Sequence, residues 1–376
     1  MDRRSSERHH WIALSLVPGI GPATFWQLIE RYGSATEAWR AGPEALAPLT
    51  RVAPEAPAAL TRLHDERPRV LVDGVERRTT AAGGRVVTAL DAAYPKALLT
   101  LDPRPPTLYI VGDDTAFEDR AVAIVGTRRA SGYGISVTTE IGHDLAEAGV
   151  VIVSGLALGI DGAAHRAAVD SGGRSIAVLP SPVDRIYPPR HRALARRLVE
   201  ERGALVSEVP TGGSVGRPDF ARRNRLIAGL AEAVVVVEAP DRSGALLTAA
   251  AAAAIGREVH AVPGPITAMA SRGCNRLVAD QQAVIVTSSA ALLRQIGLPR
   301  GATPPAARAL SEVEGQLLSR LLERSGSLEE LVDRTRQQPS AVASALSLLE
   351  ARGLVSSFGG ATFHPTLAAR RLTKVV

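Results

Sequence analysis

Eight short apolar runs punctuate the middle of the chain: RVVTAL (85–90), AVAIVG (121–126), GVVIVSG (149–155), SIAVLP (175–180), ALVSEV (204–209), AVVVVEA (233–239), EVHAVPG (258–264) and AVIVTS (283–288). Most are near-continuous rather than alternating, the pattern of strands buried on both faces. Helical stretches fall between several of them, such as ISVTTEIGHDLAEAG (135–149) and HRALARRLVEERG (191–203). Repeated strand–helix units of this kind predict an α/β fold with an extended, Rossmann-like parallel sheet over residues 86–298.

The flanks read differently. WIALSLV, PGIG and PATFWQLIERYG (11–33) outline a helix, a tight turn at Pro18–Gly21 and a second helix opened by Pro22, a helix-hairpin-helix (SAM-like) pattern within a helical domain over 1–80. Such a hairpin can offer backbone amides to a DNA phosphate, or can simply be a small helical domain that needs glycine in its turn. Residues 65–85 read as a connector. PRGATPPAARAL marks a Pro-rich linker at 299–310. Beyond it, EGQLLSRLLERSG, SLEELVDRT and PSAVASALSLLEARG give three helices, and LVSSFGGATFHP two short strands around Gly359–Gly360, a winged-helix pattern over 311–376. Its would-be recognition helix, 340–351, carries no basic residue, with Arg352 just beyond it. That favours protein docking or regulation over base reading.

Composition sharpens this picture at three points. Hydrophobic residues make up 45% and aromatics only 3%, so the core must rest on Ala, Val and Leu. Net charge is +6 with Lys96 and Lys374 as the lysines, so the basic charge is carried by arginine, which suits phosphate oxygens. Cys274, the single cysteine, excludes an intrachain disulfide or a cysteine-rich zinc site, and no histidine spacing suits a metal; neither a metal nor a cofactor is expected. The first residues lack an apolar segment of signal length, and GALLTAAAAAAIG (244–256) is too short to span a bilayer, so a cytoplasmic protein without membrane contact is expected.

Ligands of open parallel sheets sit at the carboxyl ends of strands, and the unusual loops fall there. After AVAIVG come Gly126, Thr127, Arg128 and Ser131, where glycine, hydroxyl and guanidinium coincide beside a helix start; phosphate contact is set against a plain strand-to-helix turn. After GVVIVS come Ser154, Gly155, Gly159, Asp161 and His165. The Asp161–His165 pair, four apart, lacks a nucleophile and reads as a buttress rather than a catalytic pair. Arg174 precedes the next strand, and after that strand Tyr187 either stacks on a base or caps the core. GRPDFARRNRLIAGL (216–230) gathers Arg217, Arg222, Arg223 and Arg225 around Phe220 and Asn224. Several arginines there would meet a nucleic-acid backbone, while at least one would pair with a glutamate and brace the acidic loop that opens at Glu238.

Taken in order, AIVGTRRASGYG, VIVSGLALGIDGAAH, IAVLPSPVDRIYPP, SEVPTGG, FARRNRLIAGL, VVVEAPDRSGALLTA and GREVHAVPG resemble the DNA-processing protein A (Smf) family over most of residues 90–285. The resemblance implies a single-stranded DNA binder without sequence preference. It implies a homodimer formed through the core that protects incoming DNA in natural transformation and helps load a RecA-type recombinase. It implies no enzyme and no catalytic residue. It places the family's phosphate-binding turn on Gly126, Thr127 and Arg128, the second glycine loop on Ser154, Gly155 and Asp161, the basic residue before the third strand on Arg174, and the RNR element on Arg223, Asn224 and Arg225. Three places depart from the family pattern: Pro180–Val183, His191 and Gln282. The competing reading is a nucleotide or nucleoside-phosphate enzyme on the same fold, for which Glu208, Glu238 and Asp161 are the nearest acids; a winged-helix transcription regulator is the weaker third.

Overall fold

A computed structural model of the chain describes residues 3–49, 52–64, 68–298, 310–351, 354–358, 362–366 and 369. It divides into two compact units, Met1–Gly301 and Ala302–Val376. The predicted linker falls on residues that lie, apart from Leu310, outside the described ones, as do Arg352 and Gly359–Gly360.

The first unit opens with helices α1 (Arg3–Ser15), α2 (Pro22–Tyr32), α3 (Ala35–Arg40), α4 (Ala56–His64) and α5 (Pro68–Ala81). The hairpin between α1 and α2 forms as the sequence predicts, with Gly19 at φ +87° and Pro22 at the first helical position. The predicted connector, in contrast, is largely the 14-residue helix α5, which buries Val72, Val75 and Thr79. Those positions are three and four apart, a helical stripe partly masked by Gly74 and a pair of threonines. Arg8 of α1 donates to Glu76 of α5 at 2.6 Å and to the Val86 carbonyl at 2.9 Å, tying the helices to the sheet.

Nine strands follow: β1 (Gly84–Thr88), β2 (Thr107–Gly112), β3 (Ala121–Val125), β4 (Val151–Ser154), β5 (Ser175–Leu179), β6 (Ala204–Ser207), β7 (Ala233–Val236), β8 (Glu258–Ala261) and β9 (Val284–Ile285). They lie in the order β1-β2-β6-β5-β4-β3-β7-β8-β9. The seven strands from β6 to β9 in that order are parallel, while β2 pairs antiparallel with both β1 and β6. Strand β2 (TLYIVG) is absent from the apolar runs read above; it follows Pro105–Pro106 directly, which masks its start. The connecting helices are α6 (Gly132–Glu147), α7 (Ile160–Asp170), α8 (Arg192–Glu200), α9 (Arg217–Leu230), α10 (Gly244–Ala254), α11 (Arg272–Ala279) and α12 (Ser289–Gln295).

Side-chain alternation assigns the two faces. Ala123, Val125, Val153, Val178 and Val236 join one cluster with Leu226, Ile227 and Leu230 of α9 and the alanines of α10. On the other face Ile124, Ile152 and Val235 pack with α6, α7 and α12. Nearer the antiparallel end, Tyr109, Leu179 and Leu205 share a core with the N-terminal helices, including Trp11, Phe25 and Leu60. The sheet is therefore covered on both sides, which is why its strands read as unbroken apolar runs. Strand order reverses between β3 and β7, and the crevice of a doubly wound sheet opens at that switch point.

The second unit holds α13 (Glu312–Glu323), β10 (Gly326–Ser327), α14 (Leu328–Thr335), α15 (Pro339–Ala351), β11 (Val355–Phe358) and β12 (Thr362–Pro365). Its strands form an antiparallel sheet in the order β10-β12-β11, over a core that includes Leu317, Leu321, Leu331, Leu346 and Leu349. Ser311 and Ser327 open α13 and α14 with reciprocal capping boxes. Among the described residues, no helix is long and apolar enough to cross a membrane.

Candidate functional site

At the switch point the loop after β3 meets the loop after β7. The Thr127 amide donates to the Glu238 carbonyl at 2.7 Å. The Glu238 side chain, 2% exposed, accepts from the Ser131 amide at 2.9 Å and from its hydroxyl at 2.5 Å. Ser131 is the N-cap of α6 and accepts in turn from the Gly134 amide at 3.1 Å. A buried carboxylate thus holds the N-terminus of α6, where an anion is most favourable. The sequence predicts that those amides face a ligand phosphate, and that at least one α9 arginine pairs with a glutamate and braces the loop opening at Glu238. In the structure Glu238 takes the Ser131 amide and hydroxyl, and the α9 arginine that pairs with a glutamate, Arg225, meets Glu208 instead.

The loop after β4 is built on two buried groups. The Asp161 carboxylate accepts from the Gly155 amide at 3.2 Å and from the Ala157 amide at 3.4 Å. Burial pushes this carboxyl up, opposed by Arg223 and the loop amides. His165 accepts from the Leu156 amide at 3.2 Å through Nε2. Its Nδ1 lies 2.7 Å from the Ser175 hydroxyl, which itself donates to the Ile152 carbonyl, so Nδ1 carries the proton. Burial lowers the imidazole from 6.5 to about 3, and it is neutral. His191, buried at the start of α8, sits with Nδ1 2.8 Å from the Leu156 carbonyl. Two imidazoles therefore fix the backbone around Leu156, whose φ is +56°. Ser154 is fully buried and donates to the Ile124 carbonyl at 2.6 Å, closing β4 onto β3. Asp161 and His165 act as the buttress the sequence suggested, and no hydrogen bond joins them.

Helix α9 sorts its arginines by phase. Arg223, 7% exposed, donates through Nη1 to the carbonyls of Gly155 (2.6 Å) and Val178, and through Nε to Asn224 Oδ1 at 3.2 Å. Burial lowers it to about 10 and Asp161 opposes that shift, so it is a cation at neutral pH. A Cβ at Gly155 would fall 2.5 Å from the Arg223 guanidinium carbon, which is why that position is glycine. Asn224 donates to the Gly244 carbonyl at 3.1 Å, linking α9 to the start of α10. Arg225 pairs with Glu208 at 2.5 Å and donates to the Pro103 carbonyl at 2.8 Å. Arg222 is exposed and pairs with Asp219. The side chain of Arg217 lies outside the described residues.

What remains facing solvent is a cleft at the ends of β3, β4 and β5, lined by Arg128, Gly155, Ala157, Leu158, Pro180, Tyr187, Pro188, Phe220 and Arg223. The Arg128 guanidinium lies over the Phe220 ring at 5.4 Å from its centroid. Tyr187, 44% exposed, meets Phe220 edge-on at 5.6 Å. Arg128 makes no ion pair or hydrogen bond among the described residues through its side chain. The structure thus brings together Gly126, Thr127, Arg128, Ser154, Gly155, Tyr187, Arg223 and Asn224, with Arg222 and Arg225 on the adjoining side of α9. It does not bring Arg174 there. That residue precedes β5 at the amino rim, about 15–20 Å along the strand, and pairs with Asp119 while donating to the Thr115 carbonyl at 3.3 Å.

The departures from the family pattern are also placed. The Pro180–Val183 loop is closed by the Ser181 hydroxyl donating to the Arg185 carbonyl at 2.7 Å. Gln282 donates its amide to the Leu277 carbonyl at 2.8 Å in the turn before β9. On the surface of α6, away from the cleft, His143, Asp144 and Glu147 set potential ligand atoms within 4.8 Å of one another.

Fold and site together define a Rossmann-like α/β protein with a cationic, aromatic cleft beside a switch point filled by its own glutamate. More narrowly, the chain belongs to the DNA recombination-mediator protein A family, whose model matches residues 85–297, preceded by a match to the DprA-like N-terminal HHH domain over residues 5–66. It is 41% identical over 300 residues to a DNA processing protein DprA of Mycobacterium tuberculosis, covering 74% of this chain and 76% of that one. The structure is similar to that of DNA processing protein A from Streptococcus pneumoniae, with a TM-score of 0.65, 28% identity, and 78% of this chain and 99% of that chain covered. It is also similar to DNA processing protein A from Helicobacter pylori, studied for its single-stranded DNA binding mode, with a TM-score of 0.52, 29% identity, and 57% and 97% covered.

Proposed function

We propose that this DNA-processing protein binds single-stranded DNA in the Arg128–Phe220–Tyr187 cleft, gripping the sugar-phosphate chain with guanidinium groups and stacking a base on an aromatic ring. One observation carries the reading: exposed Tyr187 and half-buried Phe220 stand beside Arg128, which has no carboxylate partner among the described residues. Base–aromatic stacking is indifferent to sequence, and the arginine supplies a salt-sensitive phosphate contact. The relative from Helicobacter pylori, whose single-stranded DNA binding mode has been described, supports the same ligand.

Within this reading the protein is a binder rather than a catalyst. A nucleotide's diphosphate would sit at the switch point against a helix N-terminus, and Glu238 already lies there. Glu208 is paired with Arg225, and Asp161 holds backbone amides, so each acid of the nucleotide-enzyme reading has an internal task. A homodimer, a recombinase partner and a role in natural transformation follow from the family resemblance. For the dimer, β9 supports the reading: it is the last strand of the sheet among the described residues, with Val284 44% and Ile285 40% exposed. The order of helices and strands in the second unit supports the winged-helix reading.

The test is fluorescence anisotropy with labelled oligothymidylate across several salt concentrations. Arg128→Ala should weaken binding about five- to tenfold and reduce the slope of log K against log salt by about 0.7. Phe220→Ala should cost about 1–3 kcal/mol of stacking. Full-strength binding by both variants would refute the site.

A further inference from the structure

We propose that a strand seated in the cleft continues over the outward face of α8, where Arg190, Arg192 and Arg196 hold further backbone phosphates. This rests on the cleft reading and extends it to a longer footprint. Helix α8 buries Leu194, Ala195 and Leu198, which turns Arg192 and Arg196 outward on one stripe. Four residues apart, their Cα atoms are about 6 Å from each other along the helix. Arg190, Arg192 and Arg196 are all exposed, and their side chains make no ion pair or hydrogen bond among the described residues. Arg197, one residue on, pairs with Asp170 of α7 at 2.8 Å, so a carboxylate is provided where the fold uses one.

The charge pattern is unfavourable to the helix itself. The first turn of α8 has no acidic residue, and Arg190 and Arg192 stand at its positive pole. Like charges four apart also repel. Glu200 and Glu201 stand at the opposite end of the helix. Such a row is compatible with stability only at modest cost, and it becomes favourable when a polyanion lies along it. The row is also continuous with the cleft. Tyr187 and Pro188 line the cleft, and Arg190 follows within three residues, at most about 11 Å of chain. His191 anchors that start to the carbonyl of buried Leu156, between the cleft residues Gly155 and Ala157, so the arginines stand at a fixed place beside the aromatics.

The experiment compares a short oligothymidylate of about six nucleotides, near the low end of single-strand site sizes, with one of about thirty. Wild type and the Arg190→Gln/Arg192→Gln/Arg196→Gln variant of the full chain are titrated over a salt series. The expected result is a roughly ten- to hundredfold loss for the long oligomer at low salt, a salt slope smaller by about 2, and unchanged affinity for the short one. Arg192→Gln alone, with a slope change of about 0.7, serves if the triple variant loses its fold. Unchanged long-oligomer affinity and slope, with short-oligomer binding intact, would overturn the track and leave the cleft standing. Equal losses for both lengths would also overturn it, since α8 would then belong to the cleft. Failure of the wild type to bind either oligomer would remove the cleft reading and this proposal with it.

Discussion

Replacing Arg223 by methionine removes a buried cation while keeping most of its aliphatic bulk. Two carbonyls, of Gly155 and Val178, lose their donor, Asn224 Oδ1 loses another, and Asp161 loses the cation that opposes its burial. Each unsatisfied buried acceptor costs about 1–3 kcal/mol, and breaking a buried charge pair by removing one partner costs about 3–5 kcal/mol. These penalties overlap, because Asp161 can protonate and the loop can relax, so about 3–5 kcal/mol is the net expectation. For a unit of this size that corresponds to a melting shift of about 6–15 °C, at roughly 2–3 °C per kcal/mol. The tryptophans, Trp11, Trp26 and Trp39, lie in or against the core cluster that also contains Leu156 and Leu179. Intrinsic fluorescence during thermal unfolding therefore reports on the unit that carries the site. Arg128→Met, exposed and unpaired, should stay within about 0.5 kcal/mol of wild type in the same assay. If Arg223→Met melted within about 2 °C of wild type, Arg223 would not be an internal brace, and the division between buried and ligand-facing arginines would fail.

Two further outcomes follow from the same loops. Gly134→Ala places a Cβ 3.0 Å from Glu238 Cγ and closer still to its carboxylate. Urea unfolding should show a loss of about 1–3 kcal/mol, whereas an unobstructed helical Gly→Ala change would gain close to 1 kcal/mol; a gain would show that Glu238 does not hold α6. His165 has its folded value lowered from 6.5 to about 3, so the unfolded chain binds the extra proton between those limits. Its contribution is complete above 6.5 and is lost as pH falls through that window, about 2 kcal/mol by pH 5. Stability curves at pH 7 and pH 5 should differ by that amount in wild type and by less in His165→Asn; equal differences would refute the neutral, buried assignment.

The sheet was legible because it is covered on both faces. Strands such as Val122–Val125 are apolar at every position, and no loop in the middle of the chain imitates that. What escaped were elements whose signal is shared or interrupted: β2, which starts directly after a proline pair, and α5, whose stripe of Val72, Val75 and Thr79 is diluted by glycine and threonine. The glycine loops were legible as ligand-sized turns. Their internal anions were not, because Glu238 meets Ser131 across 107 residues of sequence and Glu208 meets Arg225 across a loop. The arginine cluster of α9 was visible, and so was the expectation that it divides between ligand and glutamate, but not which arginine takes which part. Helix phase distinguishes them. Arg223 stands three and four residues before Leu226 and Ile227, both 1% exposed, so the apolar stripe itself carries Arg223 inward. Arg222 falls off that stripe and faces solvent, while Arg225 lies at its margin and meets Glu208. Reading the stripe before the charge assigns the middle arginine to the scaffold. In the proposed function the task of holding a ligand then falls to Arg128, which comes from a different loop and lies over the Phe220 ring.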